Sequence, residues 1–83
     1  MKHDKKEDWT FSIDVSIGFM FPRQTILNKV KKFCLEQNID LTILESGFLM
    51  KDYTLVCKGH STAKRKMSYY EALKDYFIQI SNI

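Results

Sequence analysis

The stretch from Lys58 to Lys66, KGHSTAKRK, holds four permanent positive charges, and no acid occurs between Tyr53 and Tyr70. Lysine and arginine at that density can neutralise a phosphate backbone, and the amides of a helix start add donors. Tyr69 and Tyr70 follow closely and offer faces on which bases stack. Lys31 and Lys32 form a second basic pair. A nucleic-acid surface would therefore comprise Lys31, Lys32, Lys58, His60, Lys64, Arg65 and Lys66. Against it, the run is short, contains no glycine-rich phosphate cradle and belongs to no recognisable nucleic-acid motif. The plainer reading is a solvated loop ahead of a helix.

Cys57 and His60 have a C-x-x-H spacing, and His3 and Cys34 could complete a four-ligand zinc site. Zinc ligands normally arrive as two close-spaced couples, and His3 sits on a charged tail, so no metal is expected. His60 and Ser61 beside Cys57 suggest a base and a nucleophile, yet no acid is near to orient the base. Asp14 stands mid-strand without a partner carboxylate. Lys51 and Asp52 read as solvated strand charges, and Trp9 as a lid over the edge of the core. The sequence thus names no catalytic residue, metal ligand or cofactor site, and the chain is expected not to be an enzyme.

A net charge of +3 is only mildly basic, so the distribution of charge matters more than its total. At 83 residues the chain is one domain with a thin core. Hydrophobic content of 45% places it among globular rather than disordered chains. Cys34 and Cys57 both lie in apolar patterns and are read as reduced, buried thiols of a cytoplasmic protein. The start, MKHDKKEDW, lacks the apolar run of a signal peptide, and no segment is long enough to span a bilayer.

These residues must be positioned by a few short elements. Residues 1–8 alternate in charge and read as a flexible tail before a single domain over 9–83. Phe11, Ile13, Val15 and Ile17 alternate with Ser12, Asp14 and Ser16, which predicts a strand with one buried face. After Pro22 the period lengthens: Ile26, Leu27, Val30, Phe33 and Cys34 predict a helix that Gln37-Asn38 closes. Ile39, Leu41 and Ile43 predict a second strand, Glu45-Ser46-Gly47 a turn, and Phe48 to Lys58 a third strand. Ser68 with Glu71 forms a capping box ahead of a last helix through Tyr70, Leu73, Phe77 and Ile80. A start nearer Ser61 or Thr62 is the alternative. Ser81–Ile83 leaves little chain for a fourth strand.

The order β-α-β-β-α predicts an α+β fold. Its sheet has three strands, the second and third form a hairpin, the third is central, and both helices cover one face. This is a ferredoxin-like split β-α-β lacking a full fourth strand. That topology gathers Gly18-Phe19-Met20-Phe21 and Gly47-Phe48-Leu49-Met50 at one end and the basic residues at the other. Consecutive apolar residues on a strand point to both faces, and only one face is covered, so Phe19, Met20, Phe21, Phe48, Leu49 and Met50 read as a protein interface. A curled loop tucking Phe19 and Phe21 under the helix ends is the competing account. The chain is therefore expected to be a small non-enzymatic binding or regulatory module. It would act by protein–protein contact, most simply as a homodimer, with nucleic-acid binding as the alternative and no membrane partner.

Overall fold

A computed structural model describes residues 5–18, 21–47 and 51–81. Five elements follow one another: β1 (Glu7–Ile17), α1 (Arg23–Glu36), β2 (Asp40–Ser46), β3 (Lys51–Ser61) and α2 (Ala63–Ser81). The strands form one sheet in the order β1-β3-β2, with both outer strands antiparallel to β3. The α+β architecture with a central third strand is therefore as the sequence pattern predicts. No described helix is long and apolar enough to cross a membrane.

Strand parity organises the sheet. Odd-numbered residues of all three strands share the face that the helices cover. Ile13, Ile17, Tyr53, Leu55 and Cys57 lie buried there, beneath Ile26, Leu27, Val30 and Cys34 of α1 and Leu73 and Phe77 of α2. Leu55 on the central strand is wholly inaccessible. Even-numbered residues form an open face of Asp, Ser and Thr with Val56, Leu44, Lys58 and His60.

Local chemistry sets the helix ends. The carbonyl of Pro22 accepts the amide of Ile26 at 3.0 Å and opens α1, where proline's missing donor costs nothing. At the other end Asn38 takes a left-handed φ of 59°, and the amides of Asn38 and Ile39 donate to Leu35 and Cys34 at 3.2 and 2.8 Å. These two bonds make a Schellman motif, with buried Ile39 sealing it.

Several boundaries differ from the sequence reading. β1 begins at Glu7, because Glu7 and Asp8 find partners in Ser61 and His60 of β3. Glu45 and Ser46 are strand residues opposite Tyr53 and Asp52, and the turn starts at Gly47, whose φ is 101°. β3 continues through Ser61, and α2 starts at Ala63 rather than at Ser68. Thr62 is the cap: its hydroxyl accepts the amide of Arg65 at 3.2 Å and its carbonyl that of Lys66 at 3.0 Å. Ser68 and Glu71 therefore lie within α2, both exposed.

Trp9 fixes the register between β1 and β3. It pairs with Gly59, and its indole lies across the space a side chain would fill. A Cβ at position 59 would stand 2.6 Å from Cη2 of that ring. The indole Nε1 donates to buried Ser61 Oγ at 2.8 Å, and Ser61 Oγ donates to the Thr62 carbonyl at 3.1 Å. Gly59→Ala should destabilise the fold by about 1–3 kcal/mol, the usual cost of overpacking. Urea denaturation checks this: the midpoint should fall, and the same change in a Trp9→Leu background should cost clearly less.

Candidate functional site

The structure divides KGHSTAKRK instead of presenting it as one loop. Lys58 and His60 stand on the open face of the sheet, while Gly59 and Ser61 turn inward. His60 Nδ1 lies 2.7 Å from Asp8 Oδ1, and Lys58 sits in register between Thr10 and Asp40. Lys64 and Arg65 are exposed on the first turn of α2, with Lys66 half-buried beside them. Lys31 and Lys32 are exposed on α1. Lys58 and His60 thus belong to the sheet and the other five residues to the helices, and of the seven His60 and Arg65 meet at a cavity of about 460 Å³ that Lys6 and Tyr69 also line. The idea of a basic loop is corrected, since the run is the end of a strand and the start of a helix.

Five of the six apolar interface candidates, Phe19, Met20, Phe48, Leu49 and Met50, lie outside the described residues. The sixth, Phe21, is half-buried against the core, and its amide donates to the Gly18 carbonyl at 3.1 Å.

Parity also separates Cys57 from His60. The cysteine faces the helices and the histidine faces away, so neither a C-x-x-H metal couple nor a thiol–imidazole pair is assembled. Cys57 instead meets Cys34 of α1, and both are at most 1% exposed. The hydrogen bond from the Cys57 thiol to Cys34, reinforced by burial, pushes Cys57 far above the ordinary thiol range. The same bond draws Cys34 down against the opposing effect of burial. Asp14 accepts the Thr54 hydroxyl at 2.7 Å rather than facing a second carboxylate.

Sequence reasoning passed over the feature that the topology leaves most open. Among the described residues β1 has a strand neighbour on one side only. Along its other edge runs a groove of about 530 Å³. Ser12 to Ser16 line one side of it, and Tyr70, Lys74, Phe77 and Ile78 of α2 line the other. Asp8, Asp14 and Ser16 all pair across to His60, Thr54 and Asp52 of β3, away from the free side. The signal was present in the element count, because a split β-α-β without its fourth strand leaves β1 at the border.

A second groove, of about 540 Å³, flanks β2 beneath α1. It borders a strand of seven residues, against eleven in β1. Asp40 and Glu45 both line it.

The thiol geometry is directly checkable. An aqueous thiol reagent should leave Cys34 and Cys57 unmodified in the folded protein and label both after unfolding. Labelling of the native state at the rate of an exposed cysteine would contradict the placement of that residue.

Comparison with protein-family models, with curated proteins and with solved structures gives no match to this chain, so the geometry alone supports a functional reading.

Proposed function

We propose that this chain is a small non-enzymatic binding and regulatory module that acts through protein–protein contact, by accepting a partner strand on the free edge of β1. The observation that carries this reading is the groove between β1 and α2. An unpaired edge offers a row of amides and carbonyls that an added strand can satisfy. The devices that usually guard such an edge are missing from it. Between Glu7 and Ile17 there is no lysine and no proline, and all eleven residues pair with β3 without a bulge. A second copy of the chain is the simplest partner, because it brings a strand of matching length and pattern.

Residue-resolved amide exchange tests the reading. In concentrated solution the β1 amides that point away from β3 should be protected, and they should exchange freely on dilution as the mass by light scattering falls. Free exchange of those amides at every concentration, with a constant monomer mass, overturns it.

A second reading has one observation in its favour. The two helices together carry eight basic residues against three acidic ones, which makes their outer side positive. If that side binds a polyanion, Lys64→Glu with Arg65→Glu should weaken oligonucleotide binding by about tenfold or more at low salt. Lys58→Glu, on the far side of the sheet, should leave it unchanged. Failure of the parent protein to retain DNA or RNA at low salt removes this reading.

A further inference from the structure

The outer flank of α2 beside the groove carries four exposed side chains in a row: Met67, Glu71, Lys74 and Ile78. Met67 and Ile78 are 56% and 48% exposed. At 100° per residue the four fall within one narrow stripe, on the same side of the helix as Tyr70. Tyr70 packs edge-on against Phe11 of β1, with ring centroids 5.4 Å apart. Lys74 lies over the Tyr70 ring at 5.7 Å, and both Lys74 and Ile78 border the β1 groove. The stripe and the free edge are therefore one continuous surface.

The stripe is complementary to its own reverse. Its spacings of four, three and four residues are the same in both directions, and its order of apolar, acid, base, apolar sets acid against base when one copy is inverted on another. Such a pattern is self-complementary about a twofold axis, the commonest symmetry of protein pairs. We infer that two copies of this chain associate about a twofold axis crossing α2 between Ala72 and Leu73. The axis sets Met67 against the partner's Ile78 and Glu71 against the partner's Lys74, with the two β1 edges paired antiparallel beneath. This deepens the protein-contact reading above and rests on it.

The strand register agrees with the axis. Ser12 is the central residue of β1 and lies in the groove beside the middle of α2. An axis near Ser12 puts Asp14 opposite the partner's Thr10 and Asp8 opposite the partner's Ser16. No carboxylate then faces another across the new pairing. Odd residues stay with odd residues, so both helical layers fall on one side of a continuous six-stranded sheet.

Charge exchange tests this geometry. Glu71 and Lys74 are both exposed, so substitution there leaves the core untouched. The parent protein should run as a dimer by light scattering. Glu71→Lys sets lysine against lysine at both symmetric contacts, and Lys74→Glu sets glutamate against glutamate. Each should raise the dissociation constant by about tenfold, the scale expected for two partly exposed charge pairs reversed together. The double variant should recover dimer formation. So should an equimolar mixture of the two single variants, as a heterodimer in which every contact is again opposite in charge. A dimer with protected β1 amides that is indifferent to all these changes overturns the twofold assignment and leaves protein contact at β1 standing. Weakening by the single variants without recovery in the mixture overturns it equally. A monomer at all concentrations overturns both.

Discussion

Trp9 can lie across the sheet only because position 59 has no side chain. With its indole held there by Ser61, β1 and β3 have one register open to them, since a slip of one residue would turn every side chain to the opposite face. From that register follows the parity of the sheet. Phe11, Ile13, Val15 and Ile17 go inward, and Asp8, Asp14 and Ser16 go outward. The same contact governs the end of β3. Ser61 is committed to Trp9, so Thr62 is the next residue free to cap, and α2 begins there. Tyr69, about two turns later, returns to pack on Trp9 at 6.0 Å between ring centroids. The position of α2 over β1, and with it the shape of the groove, descends from a tryptophan and a glycine fifty residues apart in the chain.

What could be read from the sequence divides along the same physical line. The strand at Phe11–Ile17, the helix over Ile26–Cys34 and the role of Asn38 were legible, because period and φ preference are local properties. The central place of β3 followed from topology alone. The start of α2 was legible only as one of two alternatives, at Ser68 or near Ser61 and Thr62. Ser68 and Glu71 make a sound capping box by type and spacing, but Thr62 wins because the long-range Trp9–Ser61 bond ends the strand one residue before it. Glu45 and Ser46 resemble a turn until Tyr53 and Asp52 are placed opposite them. KGHSTAKRK looked like one basic feature because a sequence shows charge but not the face on which each charge stands.

That division of charge bears on which partners the molecule can meet. The open face of the sheet presents Asp40 and Asp8 near Lys58 and Asp14 and Asp52 farther along the strands, while the helices carry most of the positive charge. Buried side chains lie between the two faces. At physiological salt a charge is felt over only about 8 Å, so each face acts on its own surroundings. A polyanion approaching the open face would meet carboxylates, and Lys58 and His60 would add little against them. The aromatic residues that could stack on bases are likewise turned to structure: Tyr69 packs on Trp9 and Phe33, and Tyr70 on Phe11. Lys6, His60 and Arg65 border one cavity with Trp9 and Tyr69, but those two rings are packed on each other and Trp9 is buried.

The free edge of β1 poses a different problem, that of closure. A long edge without lysine, proline or bulge can add strands indefinitely, and that is a route to aggregation. Isologous pairing removes the hazard, because each copy uses its β1 edge once and the pair has none left. The outermost strands are then the two copies of β2, seven residues long and carrying Asp40 and Glu45. A strand of seven residues offers a further copy fewer main-chain hydrogen bonds than the eleven residues of β1. The self-complementary order of Met67, Glu71, Lys74 and Ile78 supplies what a bare edge lacks. Main-chain hydrogen bonds alone would tolerate several registers, whereas the helix stripe is satisfied in only one. Affinity from the strand and register from the helix together would make a finite assembly out of half a sheet.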